Sequence, residues 1–411
     1  MSVQRLVIVG GSYAAQQVAA SAREFGFAGD IAMISKEDQP PYQRPPLSKS
    51  FLSGKLDESR LPLVGESFYS DNRVDLRLGQ EVVSIDPLQR DLQLADGTTE
   101  PYDWLALCTG ARPRRLPIPG EALAQVHYLR TLSDAQRLKR SLDGAAHLCV
   151  IGGGFIGLEV AAVCRQLGLK VTVLEASSAI LQRALPGAIG QFLMASHEQE
   201  GVSVRLNCSA HEIIENPNGS VSVVTSKGDA IECDQVVIGI GAEPNQQLAE
   251  EAGLLCTRGI VTDTLGQSSA DRILAAGDCA AFPNPFAADP EQPMLLESIQ
   301  ATRDLARAAG SLVAGKPQPY NAVPWFWSDQ YNLKLQIAGL YRGDEEFVFR
   351  GDVSAQKFSV FGMHQSRVVS AFSINSPADH MMARKLIAER MDVEVSHLED
   401  AGFKLKTLFE K

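Results

Sequence analysis

Two segments of this 411-residue chain share one pattern: an apolar run, a glycine-rich turn, a helical stretch and a second apolar run. The first copy opens at Leu6 and the second at His147. Short apolar runs that end in glycine are typical of strands buried on both faces. Because a helix that joins two parallel strands is the unit of a doubly wound sheet, the two copies predict two Rossmann-like nucleotide-binding domains in an α/β fold.

The second glycine turn, 152–157, matches the dinucleotide pattern G-x-G-x-x-G in full. Gly152 permits the tight turn, Gly154 lets the backbone approach a pyrophosphate, and Gly157 lets the helix pack closely on the strand. Glu175 ends the next strand, where a carboxylate accepts a hydrogen bond from a ribose 2′-hydroxyl and repels a 2′-phosphate. The turn therefore predicts a dinucleotide site that prefers NADH to NADPH.

The first glycine turn, which begins at Gly10, departs from that pattern. Ser12 stands where the second glycine is expected, and Ala15 takes the third position. Lys36 and Glu37 follow the next strand, and either could hold a ribose. Taken alone, this turn leaves a dinucleotide site and an empty turn both open. The second copy favours a site, because a hydride relay requires two dinucleotides.

Three further features each leave two interpretations open. Asp278 follows a buried strand and a glycine, so it could accept hydrogen bonds from a polyol or cap a following helix. Lys49 ends a proline-rich loop, where it could stabilise an anionic reduced flavin or remain a solvated surface lysine. Trp327 lies in an aromatic run, which belongs more often to a core than to a cofactor site.

Composition excludes several classes of protein. The formal net charge of −11 argues against a general nucleic-acid binder. We find neither an apolar window long enough to span a bilayer nor a signal peptide, and we therefore expect a cytoplasmic protein without a membrane segment. None of the seven cysteines is spaced as C-x-x-C or C-x-x-x-x-C, which argues against a zinc site or an adjacent redox disulfide. We predict no metal site, and buried thiols in most positions.

The chain resembles the oxygenase-coupled ferredoxin reductases, such as those of aromatic-ring dioxygenases, and more distantly the rubredoxin reductases and apoptosis-inducing factor. The segments that carry the resemblance are 7–15, 44–49, 106–113, 128–132, 151–159, 239–245, 277–279 and 324–330. The resemblance implies a glutathione-reductase-like architecture with bound FAD. We accordingly expect an FAD-binding domain at 1–113 and 245–321, an NAD-binding domain at 114–244 and a C-terminal α+β domain at 322–411.

The resemblance also implies roles for individual residues. Those expected to contact FAD, together with the residues of the first turn, are Gly10, Ser12, Tyr13, Ala14, Ala15, Lys36, Glu37, Arg44, Pro46, Lys49, Val82, Thr109, Gly110, Arg130, Gly277, Asp278, Ile299 and Trp327. Those expected to contact NADH are Gly152, Gly154, Phe155, Ile156, Gly157, Glu159, Glu175 and Gly241. Lys49 and Glu159 are expected to pair close to flavin N5, with Trp327 against or near the flavin, and we assign these three to catalysis. Several relatives carry aspartate where this chain has Lys36, which leaves the contact to the FAD adenosine ribose open.

The function implied is electron transfer from NADH through FAD to a [2Fe–2S] ferredoxin that serves a cytochrome P450 or a Rieske dioxygenase. We expect a monomer or weak dimer, with a basic docking surface for which Arg307 and Lys334 are candidates. Alternatives are a rubredoxin reductase, an NADH oxidase or peroxidase, and a redox-sensing flavoprotein. A sulfur-based oxidase would need a reactive cysteine after the first nucleotide unit, and none lies between Gly26 and Leu107.

Overall fold

A computed structural model describes residues 4–410 of the chain. The chain forms two compact units, each assembled from three separate segments. The first unit takes the chain up to Gln43, Leu61–Arg112 and Pro244–Phe326, and the second takes Arg44–Arg60, Pro113–Glu243 and the chain from Trp327 onward. The three domains predicted above remain a prediction, because contacts divide the chain into two units.

A five-stranded parallel sheet forms the centre of the first unit. In spatial order its strands are Ile273–Ala275, Trp104–Leu107, Arg5–Val9, Asp30–Ile34 and Val74–Arg77. Their apolar side chains are buried, apart from the partly buried Leu76 and Trp104, as expected for strands covered on both faces. Val9 lies beside both Leu107 and Ile34, and Leu107 lies beside Ala275. The strands therefore end at one level, and the turns that follow them meet at one edge of the sheet.

Two helices, Tyr13–Glu24 and Ile299–Val313, pack against each other in the first unit. Gly310 permits this packing, because a Cβ there would lie 2.7 Å from the Cβ of Ser21. The other helices of this unit are Ser67–Asp71 and Gln247–Glu251. Two smaller sheets contain the strands Val82–Asp86, Asp91–Leu94 and Thr99–Pro101, and the strands Cys256–Thr257, Gly259–Val261, Ala280–Phe282 and Met294–Leu295. Two further short strands, Ala111–Pro113 and Ala242–Pro244, lie where the chain passes from a segment of one unit to a segment of the other.

The second unit contains another five-stranded parallel sheet. In spatial order its strands are Ser203–Arg205, Lys170–Leu174, His147–Ile151, Gln235–Ile238 and Val126–His127. The helix Phe155–Gln166 connects two of these parallel strands. Both predicted copies of the strand, turn, helix and strand pattern are thus confirmed, and both sheets are doubly wound α/β structures in type.

The later part of the second unit is an antiparallel sheet with a helix, as predicted for an α+β region. Its strands in spatial order are Trp325–Gln330, Leu333–Gly339, Arg367–Ile374, Lys357–His364 and Glu346–Asp352. The remaining helices of this unit are Leu132–Ser141, Gly187–Gln199, Pro377–Glu389 and Val395–Glu399, and its 3-10 helices are Pro45–Ser48, Glu58–Arg60 and Leu405–Phe409. A third sheet contains Ala210–Glu215, Val221–Thr225 and Ala230–Cys233. Within residues 4–410, none of the helices has the length and apolar character that crossing a membrane requires.

Candidate functional site

Three of the predicted FAD-binding segments meet at the carboxyl edge of the first sheet. Gly10, Thr109 and Gly277 each follow a parallel strand of that sheet within two residues. A Cβ at Gly277 would lie 3.1 Å from the Cβ of Ala14, so the third segment lies directly against the first helix. Thr109 is fixed by Asn245, whose side chain donates to the Thr109 carbonyl at 2.9 Å. This edge is the place where doubly wound sheets bind ligands.

The first glycine turn has two positions with different requirements. Gly10 has φ of +127° and lies against the carbonyl of Cys108, so the fold itself requires glycine there. Ser12 has φ of −147° and ψ of −161°, an extended conformation that any residue can adopt. Ala15 is fully buried. The serine in the second position is therefore compatible with the backbone of the turn.

The residues predicted to hold the FAD ribose are occupied by contacts within the first unit. The Lys36 ammonium lies 2.7 Å from a carboxylate oxygen of Glu81, and Glu37 accepts a hydrogen bond from the Tyr42 hydroxyl at 2.5 Å. The strand registers show that Ser35, rather than Lys36 or Glu37, takes the place that Glu175 has in the second sheet. Which residue contacts the adenosine ribose stays a prediction.

Two further predicted FAD residues lie at the ends of elements in the first unit. Val82 opens a strand and is 7% exposed, and Ile299 is the first residue of its helix, behind a Ser298 cap. Asp278 is followed by the strand Ala280–Phe282 and not by a helix. The interpretation of Asp278 as a helix cap is therefore wrong, whereas the polyol contact remains a prediction.

The glycines of the second turn are of two kinds, those that the fold requires and one that it does not require. A Cβ on Gly157 would overlap the carbonyl of Gly152, and Gly152 itself has φ of +111°. A Cβ on Gly154 would have room, because the only neighbouring atom is the Gly239 carbonyl oxygen at 3.6 Å, and Gly154 has an ordinary extended backbone. The fold therefore tolerates a side chain at position 154, and the missing side chain suits the close approach of a phosphate.

The helix behind this turn offers its first N–H groups to a ligand. Gly154 is its N-cap residue and carries no side chain that could accept from them, and the first turn holds no acidic residue. Such a helix end attracts phosphate through its N–H groups and its dipole. Phe155 and Ile156 open this helix, and Ile156 is 43% exposed.

Glu175 lies directly across the second glycine turn. One carboxylate oxygen accepts from the Gly153 N–H at 2.8 Å, and the other accepts from the Ser177 N–H at 2.7 Å. Each oxygen has a second lone pair, which can accept from a ribose hydroxyl. Gly241, which follows the neighbouring strand, has φ of +112° and accepts a hydrogen bond from the Arg114 N–H. The structure thus brings the second turn, Glu175 and Gly241 to one edge of the second sheet.

Lys49 and Glu159 form a buried ion pair within the second unit. The 3-10 helix Pro45–Ser48, which begins with prolines, presents Lys49, and the second turn of the helix Phe155–Gln166 presents Glu159. The Lys49 Nζ lies 2.6 Å from Glu159 Oε2, with the two side chains 19% and 2% exposed. The interpretation of Lys49 as a solvated surface lysine is therefore wrong, and the two residues pair as the resemblance implies.

Sequence analysis missed two serines that complete this pair. The Ser48 hydroxyl donates to Glu159 Oε2 at 2.5 Å, and the Ser328 hydroxyl donates to Glu159 Oε1 at 2.7 Å. The Glu159 carboxylate thus accepts from three donors in a buried setting, where each such bond counts for more than in water. Ser48 adjoins the predicted Lys49, but nothing local in the sequence links Ser328 to Glu159.

Three other predicted residues also belong to the second unit: Trp327, Arg44 and Pro46. Trp327 precedes Ser328 in the strand Trp325–Gln330, so the two side chains point to opposite faces of the strand. Arg44 donates to the Arg130 carbonyl at 2.9 Å, and Arg130 precedes the N-cap residue of the helix Leu132–Ser141. Pro46 lies in the 3-10 helix that presents Lys49. Their cofactor contacts remain predictions.

The cysteines at the edge of the first sheet have low nucleophilic reactivity. All seven cysteines are free thiols, and all but Cys256 are buried. Burial raises the pKa of the Cys108 thiol well above its usual range, and burial likewise raises the pKa of Cys279. A protonated thiol is a poor nucleophile, so these residues do not supply a sulfur relay. Within residues 4–410 no cluster of His, Cys, Asp or Glu could hold a metal ion.

Arg307, one of the two candidates for the basic docking surface, forms an ion pair with Glu24. Both terminal nitrogens of Arg307 contact the Glu24 carboxylate, and its guanidinium lies over the ring of Phe25. Its charge is therefore compensated within the first unit. Lys334 is exposed on the strand Leu333–Gly339. The basic docking surface remains a prediction.

Comparisons with known proteins find relatives over nearly the whole chain. Residues 4–308 match the family described as pyridine nucleotide-disulphide oxidoreductase, and residues 325–409 match the family described as reductase C-terminal. The chain is 42% identical to rhodocoxin reductase of Rhodococcus erythropolis over 98% of this chain and 93% of that protein.

Two solved structures match over nearly the full length. The ferredoxin reductase for the CYP199A2 system from Rhodopseudomonas palustris has a TM-score of 0.95 and 38% identity, covering 98% of this chain and 99% of that chain. The putidaredoxin reductase in its covalent complex with putidaredoxin has a TM-score of 0.94 and 33% identity, covering 99% of this chain and 98% of that chain.

Proposed function

Because this chain belongs to the pyridine nucleotide-disulphide oxidoreductase family, we propose that it is an FAD-containing reductase that transfers electrons from NADH to a [2Fe–2S] ferredoxin. The similar proteins reported above are named as reductases of small electron carriers, and one was solved bound to its carrier. The ferredoxin in turn would serve an oxygenase, either a cytochrome P450 or a Rieske dioxygenase.

The observation that carries this proposal is the glycine at position 154. The fold leaves room for a side chain there, yet none is present, and the adjoining helix end carries no side-chain cap. Glu175 accepts from two N–H groups of the turn, and its carboxylate oxygens retain lone pairs for the ribose hydroxyl that we expect beside them. This arrangement suits a dinucleotide pyrophosphate and favours NADH, because a 2′-phosphate would be repelled.

The first sheet supplies the corresponding site for FAD. Gly10, Ala14 and Gly277 bring backbone close together at its carboxyl edge, where the first helix also begins. When bound, FAD supplies the conversion of a two-electron hydride transfer into single-electron steps. We assign Asp278 to the polyol that joins its two halves, since it lies at the same edge and can accept hydrogen bonds.

Lys49 and Glu159 have the chemistry expected beside the flavin. A buried ammonium stabilises negative charge on a reduced cofactor, and Glu159 with its two serine donors holds that ammonium in place. We place Trp327 near the flavin, on the opposite face of its strand from Ser328. The protein thus contributes alignment and electrostatics, and the cofactors contribute the redox chemistry.

The thiols argue for a direct electron path to the carrier. A disulfide reductase of this family would need a cysteine pair close to the flavin, whereas Cys108 and Cys279 are buried, unpaired and protonated. Electrons therefore leave without passing through sulfur. We also propose a cytoplasmic location, because seven unpaired thiols are the state that a reducing compartment maintains.

Anaerobic stopped-flow mixing with NADH tests the first half of the proposal. The purified yellow protein should lose its flavin absorption on mixing with NADH and much more slowly with NADPH. Loss of absorption only after a thiol reductant is added would contradict the proposal, since it would indicate a sulfur relay.

Carrier reduction tests the second half. The same sample should reduce a [2Fe–2S] ferredoxin in the presence of NADH faster than it reduces a rubredoxin, and it should consume little oxygen without a carrier. Faster rubredoxin reduction would assign the chain to the rubredoxin reductases, and carrier-independent oxygen consumption would assign it to the oxidases.

A further inference from the structure

Four buried polar side chains form a continuous hydrogen-bonded series behind the Lys49–Glu159 pair. They are Glu159, Ser328, Gln330 and His197, here called the buried polar series, and they are 2%, 0%, 2% and 1% exposed. Ser328 and Gln330 lie two apart on one strand and so share a face, and His197 comes from the helix Gly187–Gln199. All four belong to the second unit.

The direction of every hydrogen bond in the series follows from Glu159. A carboxylate only accepts, so the Ser328 hydroxyl donates to Glu159 Oε1 at 2.7 Å. The Ser328 oxygen then accepts from the Gln330 amide nitrogen at 3.2 Å. The Gln330 carbonyl oxygen is left to accept from His197 Nε2 at 2.8 Å. The series therefore donates toward Glu159 at each step.

His197 is neutral and oriented at its outer end. Burial lowers the pKa of His197, with a smaller opposing effect from the hydrogen bond to Gln330. Because Nε2 carries the proton in the neutral ring, Nδ1 accepts, and the Tyr331 hydroxyl lies 3.1 Å from it. The two rings also meet edge to face, with centroids 5.0 Å apart. Every nitrogen of His197 thus has a partner.

The series cannot conduct protons efficiently. A proton that enters at the Gln330 carbonyl would have to leave from the amide nitrogen, which requires an unfavourable tautomer of the amide. A complete buried polar network instead fixes side-chain positions, because moving any one member leaves its neighbours without hydrogen-bond partners. Its inner end is the carboxylate that pairs with Lys49.

We propose that His197 and Gln330 are positioning residues: through Ser328 they fix the Glu159 carboxylate, and so the Lys49 ammonium, at the place where the reduced flavin carries negative charge. This inference rests on the proposed function, because it requires FAD beside Lys49. It differs from that proposal in assigning a role to His197 and Gln330, which are buried and are linked to the ion pair through Ser328.

The same unit contains a matched control. His127 is 1% exposed, and its Nε2 lies 2.9 Å from Gln235 Oε1, a buried histidine–glutamine contact like that of His197. Burial also lowers the pKa of His127. The contacts of His127 lead to Ser141 and not to Glu159. Removing this histidine disturbs packing and hydrogen bonding without disturbing the ion pair.

The test compares four substitutions in the FAD-loaded protein. His197→Leu and Gln330→Leu break the series, His197→Gln keeps an N–H donor where Nε2 lies, and His127→Leu is the control. The FAD midpoint potential is measured against reference dyes without NADH, the rate of flavin reduction by NADH is measured by stopped flow, and thermal unfolding is recorded for each variant.

We expect both series-breaking variants to lower the midpoint potential, because a displaced Lys49 stabilises the reduced flavin less. They should also slow reduction by NADH by up to about a hundredfold, the loss that a misplacement of about 1 Å can cause. His197→Gln should recover most of both properties. His127→Leu should change neither, although it unfolds at a lower temperature than the wild-type protein.

Equal midpoint potentials in His197→Leu, Gln330→Leu and His127→Leu would overturn the positioning role. So would a loss in His197→Gln as large as that in His197→Leu. If the wild-type protein binds FAD but is not reduced by NADH, the proposed function fails, and the potentials still decide the role of the series. A chain that takes up no FAD would overturn both.

Discussion

The two glycine turns occupy equivalent places in two similar sheets, yet they differ at the positions that we expect to face a ligand. In the first turn the second position is Ser12 and the residue after the next strand is Ser35, whereas the second turn has Gly154 and Glu175. The structural glycines Gly10 and Gly152 agree, since both adopt positive φ. The comparison shows that glycine with positive φ occupies the same place in both turns, and we infer that the residues free to vary set what each turn binds.

The largest effect should come from the position that packs helix on strand. Gly157→Ala would bring a Cβ into the carbonyl of Gly152, and such overpacking should lower the free energy of unfolding by about 3 kcal/mol. The first turn carries Ala15 at this place without strain, so Ala15→Gly should cost only about 1 kcal/mol. Urea unfolding measures both, and equal losses would mean that the two turns pack alike.

A smaller effect is expected at position 154, where the fold leaves room for a Cβ atom. Gly154→Ser gives the second turn the residue of the first, and it should weaken NADH binding about thirtyfold, or about 2 kcal/mol, with unfolding unchanged. The reverse change, Ser12→Gly, should leave FAD bound. Titration with NADH and a thermal melt check the prediction. An unaltered affinity for NADH would show that the pyrophosphate does not approach position 154.

The next change exchanges the residues that follow the second strand of each copy. Glu175→Ser removes the acceptor of the Gly153 and Ser177 N–H groups and should weaken NADH binding by roughly tenfold. It should also reduce the preference for NADH over NADPH. Ser35→Ala is the control, and it should leave NADH affinity as it was. Dissociation constants for both nucleotides decide the outcome. A preference for NADH that survives Glu175→Ser would place the ribose elsewhere.

The smallest effect uses a difference between the units themselves, because all seven histidines lie in the second unit and none in the first. Burial, followed by the charge of Arg384, lowers the pKa of His380 to about 4. Below pH of about 6.5 the unfolded chain binds this proton and the folded chain does not, so the free energy of unfolding falls as the pH decreases toward 4.

We therefore expect His380→Gln to reduce the loss of stability between pH 6.5 and 5.5 by about 1 kcal/mol. Denaturant unfolding at the two pH values measures it. His364→Gln, at an exposed histidine of the same unit, is the control. The same pH dependence in both variants would rule out His380 as the source.

Sequence patterns predicted the local features well. The apolar runs before Gly10 and Gly152, and the helices after them, appear where expected, because a continuous apolar run and the glycine that ends it are adjacent in the sequence.

The site was harder to predict where contacts join distant parts of the chain. Ser328 lies 169 positions from Glu159, and Gln330 lies 133 from His197. Each is an ordinary polar residue in its own segment, and only the fold shows that they are buried together. A serine and a glutamine two apart in an apolar strand were the one local signal, since both then point into the interior.

The interleaving of the two units has a consequence for how the protein is made. The first unit can be completed only after residue 275 has been made, since the strand Ile273–Ala275 pairs with Trp104–Leu107 in its central sheet. The segment that carries Lys49 leaves the ribosome long before Ser328, on which the setting of Glu159 depends. Neither unit can finish folding until most of the chain has been synthesised. Until then, nascent chains expose unpaired strand edges. The same connectivity means that no single cut divides the gene into two halves that each encode a whole unit.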